Sequence, residues 1–472
     1  MARVPDKPAP GLSARFRTPL ILSLMLLPAA GAQTQDQISA ILNRLDRLER
    51  ENQALTEEVR TLRARLDGTP GPSSEAAGGP EAAEVAGAPE AAAPAGIEQK
   101  LEIDGNRIAE LNQTKVEASQ RFPIRLAGMA LFNAFSNSRQ SGTSQYPVVA
   151  APATGPASEG GTVRQSIVGL DFRGPATVWG GHVHGSVYFD FFAGGATAGE
   201  ARVRTGSIEI DWKNRSVMAG MEKPIFNPRE PSSLAQVAIS PLTGAGNLWL
   251  WLPQARFEQD LDFGPSSGLR AQAGVLQTRE AAPYPGSAFT GTVTAARPAL
   301  EGRFELFHRF DDERRIEFAP GFHVSQTHAG GLSIPSRIFS LDWFFNPRRQ
   351  VELTGAFYRG RNVAPLGAGY NQGFGIYDGR GKAVESTGGW AQLTFHAIPR
   401  IDIHLFTGQQ DDRNADLVAG RIGKNLLFGA NVFFHLAPNV ILGPEISQVR
   451  TLFIGQGVRI NNHYDLALAY LF

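Results

Sequence analysis

The sequence predicts an all-β transmembrane barrel of about sixteen antiparallel strands, preceded by an N-terminal α-helical coiled coil. Residues 122–472 read as short alternating segments rich in Phe, Val, Leu, Ile and Gly, cut by tight Pro or Asn turns. Short and long connections alternate along them, as in barrels with short turns on one membrane face and long loops on the other. Upstream, apolar residues over 38–66 recur with alternating spacings of three and four.

Charge and cysteine content narrow the classes. The chain carries 45 Lys+Arg against 45 Asp+Glu, without the basic excess of a nucleic-acid binder. It has no Cys, so it forms no disulfide framework, thiolate metal site or cysteine nucleophile. Arg3, Lys7, Arg15 and Arg17 precede the apolar run 20–27, and Ala30-Gly31-Ala32 follows as a small-x-small site. This predicts a secretory signal peptide over 1–32. The run is shorter than the about 20 apolar residues a spanning helix needs. An exported chain with no helical span is either soluble or a closed barrel.

Residues 33–67 form the predicted oligomerisation helix. Ile38, Ile41, Leu45, Leu48, Asn52, Leu55, Val59, Leu62 and Leu66 occupy a and d positions. Arg44 at g can meet Glu49 at e of a neighbouring helix, and Glu58 can meet Arg63. Arg44-Leu45-Asp46-Arg47-Leu48-Glu49 resembles the R-h-x-x-h-E signature of parallel three-stranded coils, which points to a homotrimer. Asn52 at an a position is also a device of dimers. Residues 68–96 are almost entirely Ala, Gly, Pro, Ser and Glu, a linker that cannot bury a core. A short helix is expected over 97–120, with Leu101, Ile108 and Leu111 on one face.

The barrel is expected over 121–472. Strands are predicted at 122–136, 163–174, 180–192, 201–212, 216–225, 247–260, 267–277 and 299–310. Eight more follow at 314–325, 337–346, 350–360, 387–396, 400–409, 425–436, 440–450 and 458–472. Tight turns fall at Lys213-Asn214-Arg215-Ser216, Asn346-Pro347-Arg348-Arg349, Ile398-Pro399-Arg400 and Ala437-Pro438-Asn439. Long loops are expected at 137–162, 226–246, 278–298, 361–386 and 410–424. An even strand number returns the C-terminus to the side on which the barrel begins. Sixteen strands leave an aqueous lumen.

The last strand is the most specific signal. Tyr464, Leu466, Leu468, Tyr470 and Phe472 alternate with His463, Asp465, Ala467, Ala469 and Leu471, so one face is apolar with aromatics. It looks like the C-terminal signal read by the outer-membrane barrel assembly machinery.

With coiled coil, linker and barrel together, the chain resembles the trimeric porins of Gram-negative outer membranes. It is most similar to the phosphate-selective and dicarboxylate-type group, some members of which carry a periplasmic coiled coil. The residues behind this are the heptads over 38–66, the opening segment 121–128, the stretch Ala219-Gly220-Met221-Glu222-Lys223-Pro224-Ile225-Phe226 and the terminal Tyr470-Leu471-Phe472. The resemblance implies an outer-membrane location, lipid as solvent, passage of small hydrophilic solutes, no enzymatic activity and no cofactor. It also implies that the 226–246 loop, bearing Arg229 and Glu230, folds into the barrel and narrows it. The barrel has only four lysines, Lys213, Lys223, Lys382 and Lys424, whereas phosphate-selective pores use lysines as well as arginines.

A pore selects by lumen width and rings of charge. Strand parity sets Leu300, Phe304, Leu306 and Phe310 outward, leaving Glu301, Arg303, Glu305 and Arg309 inward. The same parity turns Asp190, Glu209, Asp211, Glu317, Glu352, Asp402 and His404 inward, with Arg256 and Arg270. Residues 121–472 hold 32 basic and 28 acidic side chains, a weak lean towards anions, against 9 and 16 over 33–120.

Two patterns could mimic chemistry. Gly264-Pro265-Ser266-Ser267-Gly268 matches G-x-S-x-G, but a nucleophile elbow needs a following helix, and the next segment reads as a strand. His182 and His184 share a strand face, with no evident third ligand, so no metal is expected. Two other functions compete with a pore. The barrel could anchor a coiled-coil spacer to the cell wall, though no wall-binding domain is recognisable. A barrel hydrolase would need a Ser/His pair on the lipid face, for which the strand reading offers no candidate.

Overall fold

The computed structural model describes residues 123–194, 199–284, 289–368, 370 and 372–472. The expected signal peptide (1–32), coiled coil (33–67), linker (68–96) and short helix (97–120) lie outside the described residues.

In chain order the strands are β1 Ile124–Asn137, β2 Ser158–Thr162, β3 Ile167–Ala176, β4 His182–Ala193, β5 Glu200–Trp212, β6 Arg215–Glu222 and β7 Leu252–Asp262. They continue as β8 Ser267–Leu276, β9 Val293–Ala295, β10 Ala299–Arg309, β11 Arg315–Ala329, β12 Leu332–Arg348 and β13 Val351–Arg361. The last are β14 Phe374–Tyr377, β15 Arg380–Ala383, β16 Glu385–Ile398, β17 Ile401–Asp412, β18 Ile422–Ala437, β19 Val440–Phe453 and β20 Gly457–Leu471.

The pair β14–β15 is a separate hairpin, and the other strands form one antiparallel sheet that closes where β1 pairs with β20. Both β2 and β3 pair with β1, and both β9 and β10 pair with β11. Each couple is therefore one stave interrupted once, and the barrel has sixteen staves. Every segment expected as a strand has its own stave. Three expected loops are corrected, because 137–162 contains β2, 278–298 contains β9 and 361–386 contains the β14–β15 hairpin. The β11–β12 hairpin also runs further than expected, reversing at Gly330 and Gly331, both at positive φ, where glycine carries no Cβ penalty.

Alternation explains why these residues form a barrel. On β10, Leu300, Phe304 and Leu306 are exposed on the outer surface, while Glu301, Arg303 and Glu305 are buried inside. On β20 the row Tyr464, Leu466, Leu468, Tyr470 and Phe472 points outward in the same way. A continuous exposed belt of Phe, Leu, Val and Ile is stable only against hydrocarbon, so the belt marks the membrane-spanning band.

The apolar core sits inside the barrel. Segment 223–251, between β6 and β7, turns inward and packs on the inner wall. Ile225, Phe226 and Leu248 cluster with Ile338, Tyr358 and Leu366. Leu242 and Ala245 pack with Trp390, Phe406 and Leu427, and Leu234 packs with Leu131 and Ile441.

Candidate functional site

The inward segment is held by polar contacts along its length. At its start, Ile225 N donates to Glu301 Oε2 (2.7 Å), and Glu301 Oε1 meets His323 Nδ1 at 2.8 Å. His323 Nε2 lies 2.8 Å from Ser325 Oγ. This Ser–His–Glu connectivity is that of a hydrolytic triad, but all three residues are buried and Glu301 is committed to the segment's backbone, so the set is a peg.

The next anchor is ionic. Arg229 Nε donates to Asp342 Oδ1 (2.5 Å), and Arg229 Nη2 lies 2.8 Å from Glu317 and 3.4 Å from Glu305. Arg303 grips the other oxygen of Asp342 at 2.7 Å, Arg315 meets Glu317 at 2.6 Å, and Arg270 meets Glu305 at 3.2 Å. Buried charges are tolerable here because each has an opposite partner and directed hydrogen bonds. Glu230 pairs with Lys223 within the segment.

Amides hold the crest. The stave formed by β2 and β3 breaks at 163–166, which lets the buried Gln165 reach in. Its Oε1 accepts from Val237 N (2.8 Å) and Ala238 N (3.0 Å), and its Nε2 donates to Ala235 O (2.8 Å). Asn133 donates to Leu234 O (2.9 Å), Gln392 accepts from Ser232 N (2.7 Å), and Asn431 donates to Ser232 O (2.9 Å). Beyond the crest, Asn425 donates to Gly244 O at 3.0 Å. Arg204 donates to Val237 O (2.8 Å) and pairs with Asp190 (3.1 Å).

Beneath the segment lies a polar pocket of about 400 Å³. Arg229, Glu230 and Ser232 bound it on one side, and Arg270, Arg303, Glu305, Arg315, Glu352 and Thr354 on the wall. Guanidinium and carboxylate groups thus face one volume.

The residues expected to face inward do not all meet at one place. Arg270, Arg303, Glu305, Glu352 and Arg229 meet at the pocket, and Glu317 backs it through Arg229. Asp190, Glu301 and His404 are buried and lie outside the lining of this pocket. Asp190 is bound by Arg202 and Arg204, and His404 packs on Phe433 and lies 2.9 Å from Thr394 Oγ1. Asp402 is held between His396 (2.7 Å) and His435 (2.9 Å) near the short-turn end. Arg309 is exposed at that rim and lies over Phe307, while Arg256 sits opposite Met218.

Two decoys gain detail. Gly264-Pro265-Ser266-Ser267-Gly268 is the turn from β7 into β8, closed by Phe263 N donating to Ser267 O (2.9 Å). Ser267 Oγ lies 2.8 Å from His308 Nδ1 on the outer surface, so a Ser/His pair that the strand reading lacked does exist. Among the described residues no carboxylate pairs with His308, which leaves it without the orienting acid of a triad. The absence of a third ligand near His182 and His184 is also corrected. His184 stands beside Glu209 and Asp211, with donor atoms of all three within 4.8 Å of one another. His182 is directly across from Asp211. The donor types suit a zinc-like divalent ion, but His184 already bonds Asp211 at 2.8 Å.

Several key residues escaped the sequence reading. Gln165, Asn133, Gln392 and Asn431 are uncharged, so charge does not mark them; inward parity next to a long loop is the available signal. Asp342 sits among Phe339, Leu341, Trp343 and Phe344, where apolar residues occupy both parities and hide the inner face.

Among solved structures, the fold is similar to that of the outer membrane channel DcaP of Acinetobacter baumannii, with a TM-score of 0.64 and 16% identity over 74% of this chain and 97% of that one. The anion-selective porin from Comamonas acidovorans gives a TM-score of 0.49 and 12% identity over 74% of this chain and 99% of that one. At 16% identity the first likeness is one of fold. No protein-family model matches the chain, and no curated protein matches its sequence.

Proposed function

We propose that this chain is an outer-membrane porin, trimeric, through which small hydrophilic solutes diffuse down their own gradients with a mild preference for anions. The observation that carries this reading is the inward segment, fixed to the inner wall over a pocket where Arg270, Arg303 and Arg315 face Glu230, Glu305 and Glu352. A fixed, charged constriction of this kind sorts solutes by size and sign. The fold shared with an outer membrane channel supports the location. The excess of basic over acidic residues in 121–472 supports the anion lean. The outward row ending at Phe472 supports handling by the barrel assembly machinery, and the heptads over 38–66 support a periplasmic coiled coil that gathers three chains.

Liposome swelling tests the reading. Vesicles containing the protein should swell in small sugars and small dicarboxylates, with rates falling steeply as solute size grows. Rates no higher than those of protein-free vesicles reject it.

A further inference from the structure

On the outer surface near the long-loop end, β12 and β13 carry three exposed arginines, Arg337, Arg359 and Arg361. Among the described residues none has an ion pair or side-chain hydrogen bond. Arg337 and Arg361 are direct cross-strand partners, a register at which like charges repel. On its other side Arg361 faces Glu385, but Glu385 is engaged by Arg413 (3.3 Å), and nearby Asp411 is engaged by Lys424 (2.6 Å). Other outward arginines differ, since Arg450 donates to Gln448 (2.6 Å) and Arg459 to Pro152 O (3.0 Å). The trio lines an open groove of about 800 Å³ with Arg413. One step towards the membrane, Phe339 and Phe357 are exposed as part of the apolar belt.

We propose that this groove binds the phosphate-bearing headgroup of an outer-leaflet lipid. A phosphate between Arg337 and Arg361 relieves their repulsion and accepts paired N–H donors from planar guanidinium groups. Charge at headgroup height directly above exposed aromatics favours an anion tethered to acyl chains over one free in solution. The inference rests on the proposed outer-membrane porin reading, with the long-loop end at the outer leaflet, and liposome swelling tests the porin reading separately.

Thermal unfolding of the full chain in detergent micelles tests it, with micelles doped with a diphosphorylated glycolipid, with its dephosphorylated form, or supplied with inorganic phosphate. The phosphorylated glycolipid should raise the Tm of the wild type, while the dephosphorylated form and inorganic phosphate should not. R337Q/R361Q should retain its Tm in plain micelles and bind the glycolipid about tenfold more weakly or worse. Arg450→Gln should bind as wild type does. Equal protection of wild type and R337Q/R361Q overturns the proposal, as does equal protection by inorganic phosphate. If R337Q/R361Q fails to fold, Arg359→Gln alone must weaken glycolipid binding, and unchanged binding overturns it.

Discussion

Arg229 of the inward segment and Asp342 of β12 lie 2.5 Å apart, and Arg303 holds the second oxygen of the same carboxylate. A single buried carboxylate therefore joins the segment that folds into the barrel to the wall that confines it.

Replacing Arg229 by Gln leaves Asp342, Glu305 and Glu317 short of positive charge in a site where Arg229 itself is only 13% exposed. Removing one partner from such a network costs about 3–5 kcal/mol. Urea unfolding in micelles should show that loss, and the open-channel conductance should rise as the segment loosens. Unchanged conductance would mean that this pair does not set the passage.

Gln165→Ala should free the crest of the segment without touching any charge. Each buried backbone group left unpaired costs about 1–3 kcal/mol. Hydrogen exchange at Val237 and Ala238, whose amides Gln165 holds, should accelerate; protection equal to wild type counts against the role assigned to the broken stave.

Gly246→Ala should unseat the segment. Gly246 has φ +99°, and an added Cβ would collide with the Gly389 backbone, so both strain and overlap act. Limited trypsin digestion should then cut at Arg229 in the folded barrel, where wild type resists.

Glu352→Gln removes a carboxylate from the pocket without breaking any ion pair found among the described residues. The reversal potential in a salt gradient should move towards anions, with stability within about 0.5 kcal/mol of wild type. A shift towards cations would contradict the proposed role of pocket charge.

The sixteen staves were legible because a lipid-facing strand must alternate, and the alternation of β10 or β20 survives an error of a residue or two in where the strand begins or ends. Above the apolar belt that constraint ends. At the upper ends of β11 and β12, Ala329, Leu332 and Ile334 pack with Phe374, Ile376 and Ala383 of the β14–β15 hairpin rather than against lipid, so residues 326–336 offered no lipid-facing period to read, and neither did the hairpin. At the site, parity placed Glu301, Arg303 and Glu305 on the inner face, but parity says nothing about what covers a face. Whether a charge meets water or a folded-in segment depends on contacts as distant as Gln165 with Val237 or Arg229 with Asp342.

The most direct test is single-channel recording of the purified chain in a planar bilayer, with reversal potentials in a salt gradient. The account predicts a large ohmic conductance, in steps of three, with a mild preference for anions. Silence from a correctly folded, heat-modifiable barrel would contradict it.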